Sequence, residues 1–163
     1  MMKYLFALCT IFLLTACNTL IPRQEAAVDL QTAEQHADTA YQSQDWYGAE
    51  QAYQDLASRS PSNAEYWFRL GNIYARTDRL DEAVNAYRQA LESDPENSSI
   101  WHNLGIVQLR QATTTFIDLV NHTPDDDPLN QRARYVVINV TRLMEDNFDT
   151  EAEQENIDLQ STP

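Results

Sequence analysis

Residues 64–97 read AEYWFRLGNIYARTDRLDEAVNAYRQALESDPEN. Apolar residues recur in this stretch at intervals of three and four positions, which predicts two amphipathic helices. Asp94-Pro95 marks the end of the second helix, because proline disfavours helical geometry in the residue before it. Gly71 and Ala83 supply the small side chains that let two antiparallel helices pack closely. The stretch therefore predicts a pair of antiparallel helices.

The same pattern returns at a fixed distance along the chain. Three upstream residues match three in this stretch at a spacing of 34 positions: Ala49, Tyr53 and Pro61 correspond to Ala83, Tyr87 and Pro95. The period and the pattern resemble the tetratricopeptide repeat (TPR). All signature positions of that family are filled here, by Trp67, Leu70, Gly71, Tyr74, Ala83, Tyr87, Ala90 and Pro95. The resemblance implies an all-α fold, a TPR-type solenoid of antiparallel helix pairs spanning residues 25–147.

Weaker copies of the pattern flank this central repeat. The upstream copy, residues 30–63, keeps Ala37 at the glycine position but has Ala33 in place of the tryptophan. The downstream copy, about residues 98–131, repeats the residues of the first helix: Trp101, Leu104 and Gly105. Its second half is degenerate, because Ile117 stands where the next small residue is expected. One helix pair cannot bury its own apolar face, so the repeats are expected to stack on one another.

The downstream copy leaves one structural question open. No glycine or proline interrupts residues 108–123. Residues 99–122 therefore form either one long helix or a pair with a bend near Thr113-Thr114-Thr115, where β-branched residues weaken a helix.

A capping helix is predicted at residues 128–147, because Asp125-Asp126-Asp127 offers a helix cap and Pro128 suits the first helical position. Five apolar residues line one face of it: Leu129, Ala133, Val136, Val140 and Leu143. The helix would close the open end of the array, as terminal elements of solenoids do. The β-branched residues at 135–140 leave a strand as the alternative. Residues 148–163, acidic and without a basic residue, predict a disordered tail.

The N-terminus has the layout of a secretory signal. Lys3 precedes an apolar run at positions 4–14 that is too short to span a bilayer as a permanent helix. The run ends in Leu14-Thr15-Ala16-Cys17, which resembles the lipobox of bacterial lipoproteins. The resemblance implies that residues 1–16 are removed as a signal peptide and that Cys17 is lipidated. The alternative is an ordinary signal peptide whose cleavage site contains a cysteine.

The residues after this cysteine bear on where the protein resides. In the lipoproteins that this segment resembles, an aspartate after the cysteine favours retention in the inner membrane, and here Asn18 occupies that position. The expected location is therefore the outer membrane, on its periplasmic side. Residues 17–24 have no helical period and include Pro22, which predicts a short tether between the lipid and the domain.

The composition argues against several classes of function. A formal net charge of −14 disfavours binding to nucleic acid and to anionic lipid headgroups. Cys9 lies in the signal, so the lipidated mature chain offers no thiol for a disulfide, a zinc site or catalysis. The histidines His36, His102 and His122 lie in separate repeats, so no metal site is expected. Because no Gly-x-Ser-x-Gly elbow or glycine-rich phosphate loop is present, neither an enzyme nor a cofactor is expected.

The expected site is a protein-binding groove, because in TPR arrays the first helices of successive repeats line a concave surface that holds a peptide or a partner helix. By resemblance the groove positions are Glu34, Asp38 and Tyr41 in the first repeat, Glu65, Phe68, Asn72 and Arg76 in the second, and His102, Ile106, Leu109 and Arg110 in the third. These residues lie outside the packing signature. The set lacks the several lysines and asparagines with which some TPR domains bind a terminal carboxylate, so that mode is not predicted.

Within this set the residues differ in how strongly they indicate binding. Phe68 and Asn72 form the best candidate pair, since aromatic anchors beside hydrogen-bonding side chains are common in binding hot spots. Ile106 and Leu109 fit the groove and the core under the capping helix equally well. Arg76 and Arg110 either pair with an acidic partner segment or balance nearby carboxylates of this chain.

These features together predict a lipid-anchored, non-enzymatic adaptor or assembly factor that holds a segment of an envelope protein, from a pilus, a secretion system or the cell-wall machinery. The layout is similar to that of the pilotins of type IV pili and of the TPR lipoprotein of tight-adherence pili, although those pilotins carry more repeats. The alternatives are a structural subunit of an envelope complex and a regulator of a peptidoglycan enzyme. TPR architecture specifies a way of binding and leaves the partner unidentified.

Overall fold

A computed structural model describes the backbone of residues 21–160 and the side chains of residues 29–144. The predicted signal peptide, residues 1–16, and the predicted lipidation site Cys17 lie outside the described residues. Residues 21–160 form six helices: α1 (Ile21–Gln42), α2 (Trp46–Arg59), α3 (Ala64–Arg76), α4 (Leu80–Ser93), α5 (Ser98–His122) and α6 (Pro128–Gln160). This part of the chain contains no strand, so the strand alternative at residues 135–140 is wrong.

The helices stack in chain order. Each helix contacts the next one along the chain, and α3 also contacts α5, so the first helices of the second and third repeats lie side by side. Short connections join the helices, which makes consecutive helices antiparallel neighbours. The all-α solenoid of helix pairs predicted from the sequence is confirmed.

Turns and caps repeat with the period of the sequence. The turns that follow α1 and α3 each contain a residue in left-handed geometry, Gln44 with φ 60° and Asp78 with φ 61°. Asn63 and Asn97 cap the starts of α3 and α5, because their Oδ1 atoms accept hydrogen bonds of 3.1 Å from the amides of Glu65 and Ser99. The repeat in the sequence is thus a repeat of local hydrogen bonding as well as of packing.

Two clusters of apolar side chains form the core. The first joins α1, α2 and α3 with Ala86 of α4, and the second joins α4 to α5. Trp67 and Tyr74 of α3 pack against both clusters. Gly71 allows α3 and α4 to approach, since a Cβ atom placed on it would lie only 2.4 Å from Cε1 of Tyr87. The small residue at the helix crossing is therefore required by the packing.

The open question about residues 99–122 has a clear answer, because α5 is one helix of 25 residues. The hydroxyl groups of Thr113, Thr114 and Thr115 donate to the carbonyl oxygens four residues earlier, at 2.8, 3.1 and 3.2 Å. The three threonines thus bond within the helix and do not bend it into two. The degenerate repeat at residues 98–131 consequently has no second helix of its own.

Helix α6 begins as predicted and is joined to the end of α5 by one buried amide. Oδ1 of Asp127 accepts a 2.7 Å hydrogen bond from the amide of Leu129, which caps the helix at Pro128. Nδ2 of the fully buried Asn130 donates to the carbonyl oxygens of Val120 and Thr123, each at 3.0 Å. These bonds satisfy carbonyl groups that the end of α5 leaves open.

The outer surface of α6 differs from the predicted cap. Of the five apolar residues expected to line its packed face, only Ala133 is buried, while Leu129 and Leu143 are more than half exposed. The reason is that α6 packs on the single helix α5, which is too narrow to cover a wide apolar face. Tyr135 and Ile138 are exposed as well, so α6 lacks the polar outer face that normally terminates a solenoid.

Both ends of the domain carry more helix than the sequence predicted. Helix α1 begins at Ile21, inside the segment 17–24 assigned to a tether, and Pro22 is compatible with this because the first turn of a helix tolerates proline. Helix α6 continues to Gln160 through most of the segment 148–163 assigned to a disordered tail, and no glycine or proline interrupts it after Pro128. Within the described residues, no helix is sufficiently long and apolar to cross a membrane.

Candidate partner-binding groove

The predicted groove residues of α1 and α3 contact other side chains of this chain that were not predicted as groove residues. The hydroxyl of Tyr66, a buried residue of α3, donates a hydrogen bond to Glu34 of α1. The guanidinium of Arg69 lies over the ring of Tyr41, 4.9 Å from its centroid. These two contacts hold the first helices of the first and second repeats together.

Both predicted carboxylates of α1 are hydrogen-bond acceptors for tyrosines. Asp38 accepts from the hydroxyl of Tyr53, as Glu34 does from Tyr66. Burial and the neighbouring Glu34 raise the pKa of Tyr66 to about 12, and burial and Asp38 raise the pKa of Tyr53 well above its ordinary value. The tyrosines therefore stay protonated at neutral pH, and the carboxylates serve the packing of the repeats.

An aromatic and cationic cluster follows along the same surface. The rings of Tyr41 and Trp46 meet edge to face with centroids 5.5 Å apart, and the guanidinium of Arg76 lies 5.4 Å from the centroid of Trp46. Nε of Arg69 forms a 2.6 Å ion pair with Glu65. Tyr41, Glu65 and Arg76, which were all predicted as groove residues, thus each contact another side chain of this chain.

Asn72 belongs to the contact between the second and third repeats. Its Oδ1 accepts hydrogen bonds from the hydroxyl of Tyr87 at 2.7 Å and from Nδ2 of Asn103 at 2.9 Å. The ring of Phe68 packs against Tyr87, with centroids 6.0 Å apart. The pair that the sequence favoured as a binding hot spot therefore has a packing role as well.

Asn103 was not identified from the sequence, because its position is outside the repeat signature and its counterpart one period earlier is Arg69. A signal for the tyrosine bonds was present, since Tyr87 follows Asn72 at the same spacing at which Tyr53 follows Asp38. Polar residues at that groove position are thus acceptors for the tyrosine of the second helix in both complete repeats.

Arg110 also bonds within the chain. Its Nη1 donates to the carbonyl oxygen of Ala75 at 2.8 Å, and its Nη2 forms a 2.9 Å ion pair with Asp78. It therefore links α5 to the last turn of α3 and to the turn that follows, in agreement with the interpretation that this arginine balances a carboxylate of its own chain.

The apolar groove residues of the third repeat are only partly covered. Ile106 is half-buried, Leu109 is 39% exposed and Ile117 is 42% exposed. The three lie on one side of α5, because at 3.6 residues per turn positions 106, 109 and 117 fall within an arc of about 80°. We call Ile106, Leu109 and Ile117 the α5 row. Ile117 was not predicted because the repeat register assigned it to a second helix that does not form.

The remaining predicted positions are His102, which is exposed, and Phe68, which lines a small cavity. This cavity has a volume of about 330 Å³ and lies between the starts of α3 and α5, where Glu65 and Asp94 also line it. One part of the Phe68 ring is thus accessible from the surface. Among the residues whose side chains are described, no group of histidine, cysteine, aspartate and glutamate is arranged to hold a metal ion.

Two family models described as tetratricopeptide repeat match the chain, one at residues 34–98 and one at residues 86–115. Among solved structures, the chain is similar to the "TPR2B-domain:pHsp70-complex of yeast Sti1". The sequences are 16% identical, the match covers 70% of this chain and 97% of that chain, and the TM-score is 0.48. No curated protein sequence matches this chain significantly.

Proposed function

Since its helix pairs are tetratricopeptide repeats, we propose that this chain is a non-enzymatic adaptor that holds a segment of an envelope protein against the α5 row. The proposed adaptor is anchored by acyl chains on Cys17 at the periplasmic face of the outer membrane, as the sequence Leu14-Thr15-Ala16-Cys17 and the following Asn18 suggest. The partner is a protein of a pilus, a secretion system or the cell-wall machinery.

The observation that carries the binding proposal is the contrast between the three first helices. The polar groove residues of α1 and α3 are engaged by tyrosines, arginines and an asparagine of this chain. The α5 row instead presents two exposed apolar side chains, Leu109 and Ile117, beside the half-buried Ile106. A protein partner that buries such side chains gains the hydrophobic contribution that drives most association.

The row also specifies the shape of the bound segment. Ile106 and Ile117 are separated by about 16 Å along the helix axis, at 1.5 Å per residue. A helical segment of about three turns with apolar residues on one side matches this length. We therefore propose an amphipathic helix of the partner as the bound element.

The binding proposal is tested with the lipidated full chain in a pull-down from detergent-solubilised envelopes, with captured proteins identified by mass spectrometry. A Leu109→Asp, Ile117→Asp double variant introduces two charges into the α5 row. The matched control is Tyr47→Asp, which changes an aromatic residue of α2 that is 77% exposed and lies outside the row. Capture of one envelope protein by the wild type and the control, with loss in the double variant, supports the proposal. Equal capture by all three proteins contradicts it.

Anchoring is tested separately, because binding and lipidation depend on different residues. Cells are grown with an alkyne-labelled palmitate, and the wild type is compared with Cys17→Ser. Label on the wild type in the outer-membrane fraction, and its absence from the variant, supports the anchor. Absence of label from both proteins would contradict the anchor and would favour the alternative, an ordinary signal peptide whose cleavage site contains a cysteine.

A structural subunit of an envelope complex is the second candidate, favoured by the exposed apolar residues of α6. Leu129, Tyr135, Ile138 and Leu143 are all more than half exposed, and exposed apolar side chains become buried where subunits associate. A Leu129→Asp, Leu143→Asp variant distinguishes the two functions. Suppose that this variant dissociates a complex that otherwise survives purification, while the α5 row variant leaves that complex intact. The function of structural subunit is then favoured over that of adaptor.

A further inference from the structure

Helix α5 carries the same first-helix residues as α3, but without the same neighbour. Trp101 and Gly105 stand one period after Trp67 and Gly71. In the second repeat, α4 covers these positions, and a Cβ atom on Gly71 would lie only 2.4 Å from the ring of Tyr87. In the third repeat, apart from the adjoining backbone of α5 itself, no described atom lies within 4 Å of a Cβ atom on Gly105, and Trp101 is 55% exposed.

The indole of Trp101 is nevertheless positioned as in a complete repeat. Its Nε1 donates to the carbonyl oxygen of Pro95 at 2.8 Å, and Trp67 makes the equivalent bond to Pro61 at the same distance. Trp67 is half-buried and packs against both core clusters. The two tryptophans are thus equally oriented but unequally covered.

The start of helix α6 is attached to a different part of α5. Asn130 and its bonds to Val120 and Thr123 fasten the start of α6 to the last turn of α5. In the second repeat the first helix ends at Arg76, whereas α5 continues from the corresponding Arg110 to position 122. This displaces the point at which the next helix begins by about 18 Å along the axis, at 1.5 Å per residue.

The uncovered face consists of Trp101, Gly105, Gln108 and Ala112, which we call the α5 slot. These residues are four, three and four positions apart, so they share one side of the helix. It is centred about a third of a turn from the α5 row, so the two surfaces are distinct. We propose that the α5 slot binds a helix from another protein, which completes the third repeat in the way that α4 completes the second.

The contact between α3 and α4 defines the chemistry of this helix. Tyr87 lies over Gly71, and the fully buried alanines Ala83 and Ala90 stand four residues before it and three after it. The bound helix therefore carries an aromatic residue that lies over Gly105, with small residues at those same two spacings. The earlier small residue is common to both complete repeats, because Ala49 stands four residues before Tyr53, whereas α2 has Leu56 at the later position.

A second copy of this chain does not supply such a helix. The full pattern is present in α4, whereas α2 has the alanine and the tyrosine but Leu56 three residues later. In both helices the alanine and the tyrosine are already buried within the complete repeats: Ala49, Tyr53, Ala83 and Tyr87. Ala133 of α6 is buried against α5 as well. Donation of any of these helices would require the donor to unfold, so the partner is a different protein.

The probe is a capped synthetic peptide with the α4 sequence, residues 79–94, labelled for fluorescence anisotropy and titrated with the full chain. We expect saturable binding to the wild type and at least a tenfold loss of affinity with Gly105→Leu, whose side chain occupies the slot. The variant should remain folded, because a Cβ atom at this position meets open space and leucine favours helix over glycine. A peptide with the Tyr87→Ala change should lose affinity to a similar extent.

Three results would overturn the proposal. One is the absence of saturable binding to the wild type. Another is equal binding to the wild type and to Gly105→Leu, which would mean that the peptide exchanges with α4 in the second repeat. The third is self-association of the wild type in sedimentation that Gly105→Leu abolishes, which would assign the slot to a second copy. Ile117→Asp in the α5 row serves as the control and should leave peptide binding unchanged.

Discussion

The second and third repeats begin with the same tryptophan, leucine and glycine, yet only the second forms a helix pair. The difference lies in the turn. Gln44 and Asp78 adopt left-handed geometry after α1 and α3, whereas the corresponding position in the third repeat holds Ala112, inside α5. Aspartate is among the residues that tolerate left-handed geometry, while for alanine it costs roughly 1 kcal/mol. The residues of the first helix thus determine which kind of helix can pack against it. The residue at the turn position determines whether the chain folds back and provides that second helix itself.

The largest expected effect on the free energy of unfolding is the difference between replacing Trp67 and replacing Trp101. Trp67→Ala should lower the free energy of unfolding by about 3 kcal/mol, because Trp67 packs against both core clusters. Trp101→Ala should lower it by less than about 1 kcal/mol, because more than half of the side chain is already exposed. Urea denaturation followed by circular dichroism measures both. Equal losses would mean that Trp101 is covered in solution and that the third repeat is complete.

The two glycines give the next contrast. Gly71→Ala should destabilise the fold by about 2 kcal/mol, because the new methyl group meets the ring of Tyr87 and forces the helices apart. Gly105→Ala should stabilise the fold by about 0.5 to 1 kcal/mol, because alanine favours helix and the added carbon meets no described atom. The opposite signs are the test, measured again by urea denaturation. Destabilisation by both variants would contradict the uncovered state of Gly105.

Substitution of Asn130 tests how α6 is attached to the end of α5. Asn130→Ala removes the donor to the carbonyl oxygens of Val120 and Thr123 and leaves Arg134 without the acceptor it contacts at 2.7 Å. We expect a loss of about 1.5 kcal/mol, the usual effect of leaving buried carbonyl groups without donors. Hydrogen exchange should accelerate in α5 after residue 113 and in α6, while α3 and α4 keep their protection. Uniform acceleration would show that all repeats unfold as one unit.

The helix pairs of the complete repeats could be predicted from the sequence, whereas the contacts of the groove residues could not. Gly71, Ala83 and Pro95 locate a helix pair because each is required by packing or by a helix end. The groove positions were assigned from the repeat register, which says which way a residue faces but not which neighbour reaches it. The hydroxyls of Tyr53 and Tyr66 take up Asp38 and Glu34 only because the folded chain brings together residues 15 and 32 positions apart.

The extent of α5 was undecided for a related reason. Its middle contains no residue that forbids a helix and none that requires a turn, so the local preferences are nearly balanced. The contact that favours one long helix, the amide of Asn130 on Val120 and Thr123, lies beyond it in the chain. The position of α6 therefore depends on a buried polar group that no periodicity reveals.

The smallest expected effect compares the two interfaces between repeats as the pH rises. The first and second repeats are joined by the hydroxyl of Tyr66 on Glu34, whereas the second and third are joined by Asn103 on Asn72, which does not titrate. Burial and Glu34 raise the pKa of Tyr66 to about 12 in the folded chain, above the ordinary value of 10. Stability from this group is thus fully present below pH 10 and is lost as the pH rises toward 12.

Two single variants separate these interfaces. Tyr66→Phe should lower the free energy of unfolding by about 1 kcal/mol at pH 8, the contribution of one hydrogen bond, and should reduce the fall in stability between pH 10 and 11. Part of the fall should remain, because Tyr53 has a raised pKa through its own burial and Asp38. Asn103→Ala should instead lower stability by the same amount at every pH. An unchanged slope in Tyr66→Phe would mean that the alkaline loss originates at Tyr53 alone, and that the two interfaces do not differ in their response to pH.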